Sequence, residues 1–173
     1  PKSALGAVER DLEIMRKTGL GYRADIVEER LTCLNYEKLS RKDSKWRKEV
    51  DATDWDALVL DEAHCVCHPT SNRTKYIIGT KRSKGLAGKI KYKYAMTGTP
   101  VTNSRYEDFW SFLKLVDFNY MSYSEFENKY LRVHYIPGTH IKLTDGYENV
   151  EELLDEVAAV SQSITKKECL DLP

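Results

Sequence analysis

The stretch Ala57-Leu58-Val59-Leu60-Asp61-Glu62-Ala63-His64 carries the strongest structural signal in the chain. Its first half is a continuous apolar run, which is typical of a buried strand in a parallel sheet. Its second half places two adjacent carboxylates and an imidazole directly after that strand. In open α/β sheets, ligands bind at the carboxyl ends of the strands. The stretch therefore predicts both a strand and a functional site at its end.

Two other short apolar segments are followed by polar clusters in the same way. Leu31-Thr32-Cys33-Leu34 is predicted as a strand ending at Asn35-Tyr36-Glu37, and Tyr94-Ala95-Met96-Thr97 as a strand ending at Gly98-Thr99-Pro100. Strands that alternate with helical segments predict an α/β fold with a largely parallel central sheet. All three polar clusters are then expected at one edge of that sheet.

The helices are predicted from apolar residues at helical spacing and from capping residues. They comprise a first helix containing Leu5 to Met15, one from near Asn72 toward Lys84 capped by Ser71, one from Arg105 to Val116, one from Ser124 to Tyr130, and a last one containing Val150 to Val157. Between the last two, residues 131–147 show a looser pattern that is rich in β-branched residues and glycine.

Composition narrows the class of protein. A chain of 173 residues with 41% hydrophobic residues suits one domain, or one lobe of a larger protein, with a real core. Basic and acidic residues balance at 27 each, so a nucleic-acid partner has to be argued locally. No apolar run reaches the length of about 18 residues that a membrane span needs, and no signal-peptide pattern opens the chain. A soluble, cytoplasmic protein with reduced thiols is expected.

Asp61 and Glu62 fit the requirements of phosphoryl transfer. That reaction uses one carboxylate near a phosphate-bound magnesium and a second to orient and deprotonate the attacking water. Asp61 suits the first role and Glu62 the second. The alternative is a loop in which both acids are simply solvated.

At this point the chain resembles a known family, on several motifs in the expected order. Residues 55–64 resemble motif II of the superfamily-two helicases, and residues 96–103 resemble motif III of their Swi/Snf-type branch. Residues 1–5 and 34–39 are similar to motifs Ia and Ib of that branch. Residues 107–113 resemble the segment after motif III, and residues 165–173 the lobe-closing stretch.

The resemblance implies a RecA-like three-layer lobe with a mostly parallel sheet, working with ATP and Mg2+ on double-stranded DNA. It implies that Asp61 holds magnesium through water, that Glu62 acts on the hydrolytic water, and that His64 links the nucleotide site to motif III. The residues implied to receive that link are Thr97, Gly98 and Thr99, and those implied to face the DNA backbone are Pro1, Lys2, Ser3, Asn35 and Tyr36. A phage or bacterial setting and no membrane partner are also expected.

Departures from the family pattern limit that expectation. No Gly-x-x-x-x-Gly-Lys-Ser/Thr occurs in the sequence, and Ser161-Gln162-Ser163-Ile164 stands where the family usually has a pair of arginines. We therefore expect residues 1–173 to be part of a first lobe, from motif Ia to its end, truncated at its N-terminus, with the phosphate-binding loop and second lobe absent. This piece alone is expected to be inactive toward ATP. A degenerate lobe that only binds nucleic acid or protein, and a strand-separating helicase, are the alternatives.

Three further patterns have two interpretations each. His64-Cys65-Val66-Cys67-His68 contains zinc-type ligands, but its Cys-x-Cys spacing is tighter than usual and favours a loop. Basic residues interleaved with Tyr92 and Tyr94 either track a nucleic-acid backbone or are solvated beside a sheet edge; they are Lys81, Arg82, Lys84, Lys89, Lys91 and Lys93. An aromatic set is predicted to pack in the core rather than to stack on bases; it comprises Tyr106, Phe109, Trp110 and Phe112.

Overall fold

The computed structural model describes residues 2–18, 30–100 and 105–164, and their side chains from residue 10 onward. The chain divides into two compact units, Pro1–Thr53 and Asp54–Pro173. The second unit contains the strand predicted at residues 57–60 and the acidic residues that follow it.

The first unit is helical over most of its described length. Helix α1 spans Lys2–Lys17, α2 spans Tyr36–Ser40 and α3 spans Lys45–Asp51. Asn35 and Ser44 begin the two short helices, because each side chain accepts a hydrogen bond from a backbone amide of the first turn. The Arg47 guanidinium donates to the carbonyl of Leu39 at 2.8 Å and joins α2 to α3.

The strand predicted at Leu31-Thr32-Cys33-Leu34 is wrong. Residues 31–35 have no regular secondary structure, and Leu31 is 47% exposed. A β-prone segment becomes a strand only where a neighbouring strand pairs with it. The described part of the first unit contains no such strand. Asn35 and Tyr36 consequently lie at the start of a helix rather than at the end of a strand.

A short parallel sheet forms the part of the second unit that carries the acidic residues. Strand β1 is Ala57–Leu60 and β2 is Tyr92–Ala95, paired in parallel from Ala57 opposite Tyr92 to Leu60 opposite Ala95. β1 lies where the sequence predicts it, and β2 begins two residues before its predicted start at Tyr94. The amide of Met96 donates to the carbonyl of Leu60 at 2.8 Å, so the pairing continues beyond the end of β2.

The expected burial of β1 is only partly found. Leu60 is 4% exposed, whereas Val59 and the paired Tyr94 are each 56% exposed on the other face. The parallel sheet has two strands among the described residues. The fold is therefore a mixed α/β structure with a short parallel sheet.

Helices and one hairpin complete the second unit. A 3-10 turn at Ala63–Val66 is followed by α4 at Asn72–Ile77, α5 at Phe109–Val116, α6 at Tyr123–Tyr130 and α7 at Val150–Ala158. Ser71 caps α4 as predicted, but the helix ends at Ile77 and does not reach Lys84. The reason is Gly79, whose φ of 101° is incompatible with a right-handed helix.

The main apolar core lies among α5, α6, α7 and an antiparallel hairpin of β3, Leu131–Tyr135, and β4, Lys142–Tyr147. Its buried members are Phe109, Trp110, Leu113, Phe126, Tyr130, Leu131 and Leu153. The core role predicted for Phe109 and Trp110 is thus confirmed, and Tyr106 and Phe112 pack against them. The hairpin was not predicted.

Candidate functional site

The acidic pair follows β1 directly, and both side chains are exposed. One oxygen of Asp61 accepts the amide of Glu62 at 3.0 Å. Glu62 itself has φ 49° and ψ 52°, a left-handed conformation that costs a residue with a Cβ roughly 1–2 kcal/mol. This conformation begins the 3-10 turn, so the strand ends abruptly at the two carboxylates.

Two backbone hydrogen bonds hold the turn against the end of β2. The amide of Ala63 donates to the carbonyl of Met96 at 2.9 Å, and Ala63 is fully buried. Together with the bond from Met96 to Leu60, this places residues 61–64 beside residues 96–97. The structure thus brings together two of the three predicted polar clusters, while the third, Asn35-Tyr36-Glu37, lies in the first unit.

His64 contacts both clusters. Its Nδ1 lies 3.2 Å from a Glu62 carboxylate oxygen and 3.3 Å from the Thr97 hydroxyl. The first distance is that of an ion pair, and the second is a hydrogen bond between the ring nitrogen and the hydroxyl. The Thr97 hydroxyl also accepts the amide of Thr99 at 3.1 Å. A continuous polar path therefore joins Glu62 to Thr99, with the exposed Gly98 between the two threonines.

The far end of the turn is held by buried hydroxyl groups that sequence reasoning missed. Thr74 on α4 donates to the carbonyl of Val66 at 3.0 Å, and Ser111 on α5 donates to the carbonyl of Cys67 at 2.8 Å. These residues are 1% and 0% exposed. The one available signal was the polar Ser111 among the apolar positions of a predicted helix.

Asp108 is a second feature that sequence reasoning missed. It is 7% exposed and lies just before α5, with Arg105 at 4.0 Å. Burial raises the pKa of Asp108 and the nearby Glu107 carboxylate acts in the same direction, while the charge of Arg105 opposes both. Asp108 is therefore a buried acid at the start of α5, beside Arg105.

Cys67 belongs to the core and not to a surface cluster. It is 3% exposed, and its thiol donates to the carbonyl of Ala63 at 3.7 Å. Burial raises the pKa of the Cys67 thiol to about 12, with the charges of Asp108 and Cys65 acting in the same direction. Zinc binds the thiolate form, so packing accounts for Cys67 better than a zinc site does.

The basic segment contains a tight turn between two glycines. Gly79 and Gly85 have φ of 101° and 62°, and a Cβ on either would lie 2.5 Å or less from backbone atoms of the turn. Thr80 and Ser83 exchange backbone hydrogen bonds of 2.7 and 3.2 Å across it. Lys81, Arg82, Lys84, Lys89 and Lys91 are exposed, and Lys93 is half-buried. Exposure fits both interpretations of these residues.

Several predicted residues lie outside the described part of the chain. They are Pro1, residues 101–103 of the motif III resemblance and residues 165–173 of the lobe-closing resemblance. The backbone of Lys2 and Ser3 is in α1, and their side chains lie outside the description.

Asp61 fits a magnesium role of the kind expected. Mg2+ keeps several waters and takes one or two carboxylates together with substrate phosphates. A single exposed carboxylate at the carboxyl end of a parallel strand meets that need. In the described residues, no group of three or more His, Cys, Asp or Glu side chains is placed to enclose a metal ion.

These features define a mixed α/β protein with a functional site at the carboxyl ends of two parallel strands. Residues 61–67, called the acidic turn below, follow β1, and His64 links this turn to Thr97 after β2. A family model, the SNF2-related domain, matches residues 17–172. The chain therefore belongs to this family of helicase-like, ATP-dependent motors, which confirms the resemblance to the Swi/Snf-type branch. A search of curated proteins and a search of solved structures gave no match. Within the described ranges, no helix is long and apolar enough to cross a membrane.

Proposed function

We propose that this chain is the later part of the first RecA-like lobe of an ATP-dependent double-stranded-DNA translocase. The observation that carries the proposal is the contact of His64 with both Glu62 and Thr97, in a chain of the SNF2-related family. Members of this family generally bind ATP with Mg2+ and act on DNA. A polar link between the acidic turn and the neighbouring strand end is the arrangement that such a motor needs to couple hydrolysis to movement.

In this proposal each residue of the acidic turn has one task. Asp61 would hold magnesium, and Glu62 would orient the attacking water and accept its proton. When bound with ATP, magnesium would neutralise negative charge on the phosphate oxygens. His64 holds the Glu62 carboxylate through the contact at its Nδ1 and connects it to Thr97. A change at Thr97 to Thr99 would then alter the position of the carboxylate.

The DNA contacts are proposed for the first unit, at Lys2, Ser3, Asn35 and Tyr36. The side-chain oxygen of Asn35, Oδ1, caps α2 by accepting a hydrogen bond from the amide of Lys38 at 3.2 Å. The side-chain amide nitrogen of Asn35 is a hydrogen-bond donor, which is the chemistry that a phosphate oxygen accepts. Such contacts position a protein on a duplex without reading its sequence.

The remaining machinery is proposed to lie elsewhere in the same protein. The sequence holds no Gly-x-x-x-x-Gly-Lys-Ser/Thr, so the phosphate-binding loop has to come from other residues. A second RecA-like lobe would supply the arginines that stabilise the transition state. A bacterial or phage-infected cytoplasm is part of the same proposal.

The test is DNA-stimulated ATP hydrolysis by the full-length protein that contains this chain, with the chain assayed beside it. We expect stimulated turnover by the full-length protein and none by the chain. Glu62→Gln should lower turnover by on the order of 10²–10⁴-fold while ATP binding is retained, and Asp61→Ala should in addition weaken magnesium dependence. Wild-type turnover in Glu62→Gln would refute the assignment of Glu62.

The same assays separate the alternative functions. DNA binding without any turnover by the full-length protein would favour a binding module. Separation of the strands of a duplex during hydrolysis would favour a helicase over a translocase.

A further inference from the structure

Two buried hydroxyl groups bind neighbouring carbonyl groups at the end of the acidic turn. Thr74 donates to the carbonyl of Val66 and Ser111 to that of Cys67, at 3.0 and 2.8 Å. Both donor residues are buried, so solvent cannot readily replace either bond. The two hydrogen bonds therefore resemble each other in chemistry, burial and length.

They differ in the element that each one joins to the turn. Thr74 lies on α4, the next helix in the chain, eight residues from its partner. Ser111 lies on α5, 44 residues from its partner and beyond the segment 97–99. The turn thus contacts the end of β2 at Met96 and Thr97, and it contacts α5 at Ser111.

Helix α5 is itself firmly held in the core. The indole of Trp110 donates to the carbonyl of Met121 at 3.0 Å, and Phe109 and Leu113 are buried beside it. A group on α5 that binds the acidic turn therefore fixes the turn relative to this core. The bond of Thr74 joins the turn to α4, which has buried residues but contributes none of them to this core cluster.

We propose that Ser111 is a positioning residue that holds the far end of the acidic turn to the core, so that a change at Thr97 moves Glu62 and not the whole turn. Its buried hydroxyl joins the turn to α5 at Cys67, while His64 joins the turn to Thr97. A displacement at Thr97 then reaches Glu62 through His64, against an end of the turn that Ser111 keeps fixed. This inference rests on the proposed function, because it concerns how DNA binding stimulates hydrolysis.

Ser111→Ala and Thr74→Val in the full-length protein form a matched pair for the test. Each removes one buried hydroxyl that binds a carbonyl of the same turn, so each should lower the midpoint of thermal unfolding by a similar amount. We expect Ser111→Ala alone to lower the ratio of DNA-stimulated to basal ATP turnover, by about fivefold or more, a usual size for coupling between sites. An equal change of this ratio in both variants, or no change in either, would overturn the inference.

A second measurement keeps the inference testable if the full-length protein shows no turnover, which would count against the proposed function alone. Hydrogen exchange at the amide of Ala63 reports the contact between the turn and Met96. Ser111→Ala should speed this exchange more than Thr74→Val does. Equal rates in the two variants would show that Ser111 only stabilises the fold.

Discussion

Glu62 combines a proposed chemical role with an unfavourable backbone conformation. Its φ of 49° is one of two positive values at non-glycine positions in the described residues. Such conformations persist where the surrounding structure fixes them, and here the fixed neighbours are Ala63, bonded to Met96, and His64. The carboxylate is thus held at the end of β1 at a cost in stability.

This cost can be measured by comparing Glu62→Gly with Glu62→Ala. Both variants lose the carboxylate, but only glycine adopts the left-handed conformation without strain. We expect the glycine variant to be more stable than the alanine variant by about 1 kcal/mol in urea unfolding, and both to lose hydrolysis. Equal stabilities would show that the backbone at position 62 is not strained.

The sequence predicted the acidic turn at the level of single residues and missed the residues behind it. Asp61, Glu62, His64 and Thr97 stand in recognisable motifs, and the last three are in mutual contact through His64. Their catalytic and coupling roles remain predictions. Thr74 lies in no motif and Ser111 lies in the segment 107–113 without an assigned role, because only the folded chain shows which carbonyls their hydroxyls bind.

At the scale of elements, the glycine-bounded turn at residues 79–85 ends α4 and carries the exposed Lys81 and Arg82. The atoms that crowd the two glycines belong to the backbone, so they cannot move aside as a side chain would. The turn therefore depends on glycine at both positions for its shape.

Gly79→Ala and Gly85→Ala should each destabilise the protein by about 1–3 kcal/mol. The added Cβ would lie 2.4 Å from the Ser83 carbonyl oxygen in one variant and 2.5 Å from the Gly79 nitrogen in the other. Thermal unfolding measures the effect. Gly98→Ala is the matched control, since no atom of the described residues lies within 4 Å of its added Cβ and its φ is not left-handed. Similar unfolding midpoints for all three variants would contradict the prediction.

Elements with their own local signals were predicted best. β1 is a continuous apolar run, and α5, α6 and α7 show apolar residues at helical spacing. The strand expected at residues 31–34 failed because its propensity needed a pairing partner. The β3–β4 hairpin was missed because a bulge between Arg132 and Val133 interrupts the alternation of side chains by which a strand is recognised. The RecA-like layering remains a proposal.

At the scale of the whole second unit, the Glu156 carboxylate on α7 contacts both α6 and the loop before it. Glu156 accepts hydrogen bonds from the hydroxyls of Tyr120 at 2.6 Å and Tyr130 at 2.9 Å, and the Lys129 ammonium lies 3.6 Å away. Burial alone would raise the pKa of Glu156, but the two hydroxyl donors and the lysine charge outweigh it and lower this pKa below the usual 4.5.

The lowered pKa predicts an acid-sensitive contribution to stability. A carboxyl group whose pKa is lower in the folded state stabilises the fold above its ordinary pKa, and this contribution is lost as the pH falls through the folded-state value. Between neutral pH and a pH well below 4.5, wild type should therefore lose more unfolding free energy than Glu156→Gln.

Urea unfolding across that pH range is the measurement, and Glu151→Gln provides the control, because Glu151 is an exposed carboxylate on the same helix. The control should follow the wild-type pH profile. A profile for Glu156→Gln that parallels wild type would exclude Glu156 as the source of the acid sensitivity.

The complete burial of Ala63 limits the side chains that position 63 can hold. The side chains at positions 61, 62 and 64 reach solvent, whereas position 63 faces the packed interior and donates its amide to Met96. A larger side chain at position 63 would have to displace packed neighbours or weaken that hydrogen bond. Residues with opposite requirements therefore alternate within four positions, since reactive groups need solvent on either side of a residue that is fixed by volume.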